Sequence, residues 1–192
     1  MNSQQSNEVV SRPAMESIFL KIAFDAVEDA EEQEREALGS VSAQVQMQDR
    51  AITAIVMSVQ ALEAFINVQA KERLSSALWD SIEWLNITNK WLVVTRLATG
   101  KECEKGEQPF QDFDALVKFR NALVHYKPKY ESGYDMFQNK FTGTMARRFF
   151  TAAAEMIEDF FQKAGEEVPV AVQPGTLTRG IIEVRPLFNK AD

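Results

Sequence analysis

The stretch AQVQMQDRAITAIVMSVQALEAFINVQAKERL, residues 43–74, carries the clearest helical pattern in the chain. Apolar side chains recur in it mainly at three- and four-residue steps: Ile52, Ile55, Val56, Val59 and Ile66. This spacing predicts an amphipathic helix that buries one apolar stripe in a core. Glu63 falls inside the stripe. Because an unpaired buried carboxylate is costly, we expect Glu63 either to ionise against a cation or to take up a proton.

The helical pattern extends outward from this stretch over residues 13–165. The chain has only 8 Gly and 6 Pro, and most stand where helices should begin or end, such as Gly100 and Gly165. The acidic run from Asp25 to Glu36 is interpreted as a solvated helical face. The pattern predicts an all-α fold, an up-and-down bundle of four to six helices forming one domain.

Both ends of the chain differ from this domain. Residues 1–12 are expected to form a disordered N-terminal tail. Residues 166–192 contain prolines followed by the β-branched stretch TLTRGIIEV. This composition predicts a C-terminal extension that is either irregular or a short strand or hairpin.

Composition narrows the classes of function. The formal charge of −7 argues against a broad, non-specific nucleic-acid binder, although a small nucleic-acid site remains compatible with it. With one His, one Cys and no Gly-rich phosphate loop, we expect no metal and no cofactor. The apolar runs are shorter than the roughly 20 residues that cross a bilayer. No membrane partner is therefore expected. The lone Cys103 precludes an internal disulfide, which predicts a cytoplasmic protein.

The three tryptophans, Trp79, Trp84 and Trp91, lie in one helix or in two short ones. They alternate with aliphatic residues at helical spacing, which favours packing in the core over the stacking of nucleic-acid bases.

A second informative stretch is DFDALVKFRNALVHYKPKY, residues 112–130, which contains the only histidine. Asp112 is expected to cap a helix here. The apolar stripe of that helix comprises Leu116, Phe119, Leu123 and Tyr126. Roughly opposite lie Asp114, Lys118, Asn121 and His125. Asn121 and His125 are four residues apart and can touch, while Arg120 lies between the two stripes.

Arg120 and His125 both allow structural interpretations. Arg120 can neutralise Glu63 through a planar, bidentate ion pair. His125 can interact with the last carbonyls of its helix, which Pro128 ends soon afterwards. Neither interpretation conflicts with a chemical role, because an anchored guanidinium is also well oriented toward a ligand.

The segment FRNALVHY resembles the signature of the HEPN superfamily (higher eukaryotes and prokaryotes nucleotide-binding), in which an Arg and a polar residue precede a His. Here these residues are Arg120, Asn121 and His125. The upstream SVQALEAFIN, with Glu63 and Asn67, resembles the second helix of many such proteins. The resemblance covers roughly residues 13–165 and implies an α-helical bundle.

Many HEPN proteins are metal-independent endoribonucleases that act as homodimers, often as toxins or abortive-infection effectors. The resemblance implies that His125 moves or aligns a proton, that Arg120 stabilises phosphoryl charge, and that Asn121 orients the histidine or binds phosphate. Glu63, Asn67 and Tyr126 would support them. The implied partners are a second copy, an RNA substrate or nucleotide, and an antitoxin protein.

The alternative is a catalytically inactive HEPN-like module that binds a nucleotide, an RNA or a protein partner.

One branch of HEPN toxins is silenced by nucleotidylation of a tyrosine two residues after the His. This sequence departs from that pattern, because Tyr126 follows His125 directly and Lys127 holds the later position.

Overall fold

The computed structural model describes residues 14–36, 40–125 and 141–169. These ranges contain six α-helices and no strand. The helices are α1 (Met15–Glu36), α2 (Val41–Arg73), α3 (Ser76–Ile82), α4 (Ile87–Thr99), α5 (Phe110–Val124) and α6 (Gly143–Ala164). The predicted all-α bundle is confirmed. The predicted N-terminal tail and the C-terminal strand or hairpin fall outside the described residues.

Local sequence sets the helix ends. Ser40, Asn86 and Thr142 each precede a helix, and each side chain accepts a hydrogen bond from the backbone N–H three residues later. Gly100 and Gly165 adopt the left-handed conformation, with φ of 74° and 72°, directly after α4 and α6. A residue with a Cβ rarely takes this conformation, so these glycines end their helices as predicted.

Helix α2 is the centre of the bundle and packs against α1, α4, α5 and α6. Its Phe65 stacks on Trp91 of α4 with ring centroids 5.7 Å apart, and it meets the ring edge of Phe160 of α6 at 5.4 Å. By length and composition alone α2 could cross a membrane, and half of its most apolar window is buried within the bundle. The central helix of a helical bundle is similarly long and apolar, because it is surrounded by other helices.

Helices α1 and α6 cross very closely at Gly143. A Cβ added there would lie 2.6 Å from Cα of Glu31, a separation that no real side chain tolerates. Beside this crossing the carboxylate of Glu34 accepts a hydrogen bond of 2.8 Å from the backbone N–H of Thr144. An acidic side chain of α1 thereby caps the first turn of α6.

One turn further along α6, Arg147 binds two carboxylates of α1. It donates two hydrogen bonds to Glu31, of 3.0 and 2.7 Å, and a third to Glu28. The hydrogen bond from Arg147 lowers the pKa of Glu31, and the carboxylates raise the pKa of Arg147. We call this group the α1–α6 clasp: Glu28, Glu31, Glu34, Gly143 and Arg147. The acidic run predicted to be a solvated face is therefore partly engaged in joining two helices.

The tryptophans divide between core and surface. Trp91 is fully buried and Trp79 packs against the core, as predicted, but Trp84 is 75% exposed. The prediction was wrong for Trp84 because the chain turns between α3 and α4. Trp84 lies in that turn, so it does not continue the helical stripe of its neighbours.

Candidate functional site

A cleft lies between α2, the first turn of α4 and one face of α5. We call it the α4–α5 cleft, and its volume is about 480 Å³. Its walls are formed by Glu63, Asn86, Ile87, Thr88, Asn89, Asp114, Val117, Lys118, Arg120 and Asn121. Three of the residues selected from the sequence, Glu63, Arg120 and Asn121, therefore line one concave surface.

Glu63 and Arg120 are paired, as the sequence predicted, but loosely. The nearest atoms, Oε2 of Glu63 and Nη2 of Arg120, are 3.9 Å apart, which is within ion-pair range but too far for a hydrogen bond. The expected bidentate geometry is absent. The expected burial of Glu63 was also wrong: its side chain is 36% exposed, because position 63 lies at the edge of the buried stripe of α2.

The guanidinium of Arg120 retains unused hydrogen-bonding capacity. Its side chain is only 17% exposed, and Nε is buried with no hydrogen-bond partner among the described residues. Arginine stays charged and carries five N–H donors, and burying such donors without acceptors is costly. Because Arg120 also lines the cleft, an anionic group bound there would accept hydrogen bonds from its terminal amino groups, whereas the buried Nε is out of reach of such a ligand.

His125 lies beyond the end of the cleft. It occupies the C-cap position of α5, is exposed, and donates its backbone N–H to the carbonyl of Asn121 at 3.0 Å. No hydrogen bond joins the side chains of His125 and Asn121, which lie one helical turn apart on α5. Since five residues of helix rise about 7.5 Å, the imidazole is displaced along α5 from Arg120.

Asn67 lies one turn beyond Glu63 on α2 and contacts a residue that the sequence analysis missed. Its Oδ1 accepts a hydrogen bond of 2.9 Å from Nζ of Lys90, whose residue is only 5% exposed. The ammonium also lies 5.5 Å from the ring centroid of Trp79. A signal was available, because Lys90 shares the helical spacing of the buried residues Ile87, Trp91 and Val94.

The charges that line the cleft are balanced. Lys118 forms an ion pair of 2.5 Å with Asp114, so one of the three lysines close to the motif is already neutralised. The other two, Lys127 and Lys129, lie outside the described residues, as does the predicted supporting residue Tyr126. Of the two cations among the described residues that line the cleft, Arg120 lies farther from its acidic partner than Lys118 does, at 3.9 Å against 2.5 Å.

Other reactive groups do not converge on this cleft. Within residues 14–36, 40–125 and 141–169, no group of three or more His, Cys, Asp or Glu side chains is arranged to hold a metal ion. Cys103 is buried, with Sγ 3.9 Å from the carbonyl of Trp91, and burial raises the pKa of its thiol. A raised pKa keeps the thiol protonated and unreactive.

Comparison with protein-family models, with curated proteins and with solved structures found no match. Any assignment of function therefore depends on the residues of the cleft and on the Arg120, Asn121 and His125 motif, of which the first two line it.

Proposed function

We propose that this protein is a metal-independent endoribonuclease of HEPN type that acts as a homodimer. The observation that carries the proposal is the state of Arg120: a largely buried guanidinium at a cleft wall, with one long ionic contact and an unpartnered Nε. A phosphodiester bound in the cleft would accept hydrogen bonds from the terminal amino groups of Arg120, for which no described residue is an acceptor.

The chemistry requires no metal. The RNA 2′-hydroxyl attacks the adjacent phosphorus and the 5′-oxygen leaves, which produces a 2′,3′-cyclic phosphate and a 5′-hydroxyl. Arg120 stabilises the charge that develops on the phosphoryl oxygens. Asn121 lines the cleft beside it and binds the phosphate or aligns the histidine. His125 moves a proton, a role suited to an imidazole near neutral pH.

A second copy completes the site in this proposal. His125 lies outside the cleft of its own protomer, and the neighbouring Val124 is an apolar residue left 58% exposed. Covering the end of α5 with the same surface of a partner would bury the two Val124 side chains. It would also bring two histidines toward the paired clefts, as a two-fold interface does.

The direct test is incubation of the purified protein with labelled single-stranded RNA in excess EDTA. We expect cleavage into fragments that carry 2′,3′-cyclic phosphate and 5′-hydroxyl ends. An oligonucleotide with 2′-deoxyribose at every position should stay intact, because it lacks the nucleophile. Failure to cleave any RNA, or a strict requirement for a divalent cation, would contradict the proposal.

The biological setting we propose is a cytoplasmic toxin or abortive-infection effector restrained by an antitoxin protein. Expression of the wild-type chain should then arrest growth, and expression of His125→Ala should not. Equal toxicity of the two chains, at equal protein levels, would contradict this setting. The cleavage assay tests the chemistry independently of it.

The second candidate is a catalytically inactive HEPN-like module that binds a nucleotide, an RNA or a protein. Two observations favour it: His125 is not among the residues that line the cleft, and Lys118 is neutralised by Asp114. Under this alternative RNA would bind without being cut. Arg120 would then serve mainly to hold the helices together, and Arg120→Ala would destabilise the fold by several kcal/mol, far more than its one partly exposed contact would suggest.

A further inference from the structure

The α4–α5 cleft has a wall that the Arg–His motif does not use. It is the first turn of α4, where Thr88 and Asn89 face the cleft from the side opposite α5. The backbone N–H of Asn89 donates to Oδ1 of Asn86 at 2.9 Å, which fixes the turn. Asn89 and Asn121 are both exposed, and no hydrogen bond within the described residues occupies either carboxamide, so both are free to contact a molecule in the cleft.

These two amides differ chemically from a phosphate site. A carboxamide presents an acceptor oxygen and two N–H donors side by side, whereas a phosphate offers acceptors only. The oxygens of Asn89 and Asn121 would therefore be unused by a bare phosphate. The edge of a nucleobase carries adjacent donors and acceptors, and asparagine pairs in a bidentate way with N6 and N7 of adenine.

The rest of the cleft suits a flat ring beside an anion. Ile87 and Val117 are buried residues that contribute apolar surface to it. Arg120 supplies the cationic end. The volume of about 480 Å³ falls in the range of small-molecule sites, which is sufficient for one nucleotide.

We propose that Asn89, with Thr88 beside it, is a specificity-determining residue that selects adenine next to the phosphate bound by Arg120. The inference rests on the proposed function, because it assumes that a phosphodiester occupies the cleft. It adds a prediction that the motif alone does not make: the base preference resides on α4, and the strength of phosphate binding resides on α5.

The test is fluorescence anisotropy with 2′-fluoro oligonucleotides, which lack the nucleophilic hydroxyl and so report binding alone. A uridine hexamer with one central position varied among the four bases is titrated with each protein. We expect the wild type to bind the adenine variant tighter than the others by at least about fivefold. Asn89→Ala should reduce that ratio to below about twofold while leaving the affinity for the all-uridine hexamer unchanged.

Two further variants make the outcomes separable. Arg120→Ala should weaken all four hexamers by a similar factor, because it removes a phosphate contact. Gln44→Ala, an exposed amide on α2 outside the cleft lining, should change nothing. Equal weakening of all four hexamers by Asn89→Ala, or an unchanged base preference, would overturn the assignment of Asn89. If Arg120→Ala still weakened binding in that case, the proposed function would stand.

If the wild type bound none of the hexamers, the proposed function and this inference would both fail. A wild type that bound all four hexamers equally would overturn the base-selection inference alone.

Discussion

Two arginines of this molecule, Arg147 in the α1–α6 clasp and Arg120 in the α4–α5 cleft, are both mostly buried and both paired with glutamate. Arg147 donates three hydrogen bonds to two carboxylates, and they raise its pKa. Arg120 has a single contact of 3.9 Å and an unpartnered Nε. The guanidinium that is hydrogen-bonded to two carboxylates joins two helices, whereas the one with a single long ionic contact lines a cleft.

The clasp and the cleft differ most at Gly143, where the clasp leaves no space for a side chain. Gly143→Ala should therefore give the largest loss of stability. The new Cβ would meet backbone atoms of Glu31 at 2.6 and 2.7 Å, so one helix must move. We expect a loss of about 3 kcal/mol in the free energy of unfolding, measured by urea denaturation.

The matched control is Gly106→Ala. Nothing lies within 4 Å of a Cβ added at Gly106, and its φ is not in the left-handed region. Its effect should stay below about 1 kcal/mol. Equal losses for the two alanine variants would show that the crossing of α1 and α6 is not as close as described.

The next test compares the two arginines directly. Arg147→Ala leaves Glu28 and Glu31 without their partner and should cost about 2 kcal/mol, since hydrogen bonds to charged groups contribute about 1.5–3 kcal/mol. Arg120→Ala removes one long, partly exposed contact and should cost less than about 1 kcal/mol. Thermal unfolding of both variants measures the difference. A cost of 3–5 kcal/mol at Arg120 would instead favour the purely structural interpretation of that residue.

The smallest effect is expected in the pH dependence of the clasp. Because Arg147 lowers the pKa of Glu31 below its ordinary value of 4.5, this pair contributes stability that is fully present above the unfolded pKa. That contribution is lost as the pH falls through the folded pKa of Glu31. The stability difference between wild type and Arg147→Ala should therefore be constant near neutral pH and shrink below about pH 4.5. A difference that stays constant into strong acid would contradict an ionic clasp.

Local sequence patterns were sufficient to predict the helical architecture. Apolar spacing located α2, and Gly100 and Gly165 marked the ends of α4 and α6. The errors concerned residues near the ends of helices. Asp112 was expected to cap α5, yet α5 begins at Phe110, and Asp112 instead binds Arg148, whose hydrogen bond lowers the carboxyl pKa.

The site was only partly predictable. A charged residue inside or beside an apolar stripe identified Glu63 and Arg120, and the same rule applied to α4 would have found Lys90. The wall formed by Thr88 and Asn89 could not be found this way. Its position depends on which helices meet in three dimensions, and no local pattern in the sequence specifies that.

The most direct test of the central claim is RNA cleavage by three proteins: wild type, Arg120→Ala and His125→Ala, assayed in EDTA under single-turnover conditions. His125 is exposed and at a helix end, so its replacement should leave the melting temperature unchanged. We expect each substitution to slow cleavage by at least about 100-fold, because each removes a group that acts in the transition state. Undiminished cleavage by folded His125→Ala would contradict the account.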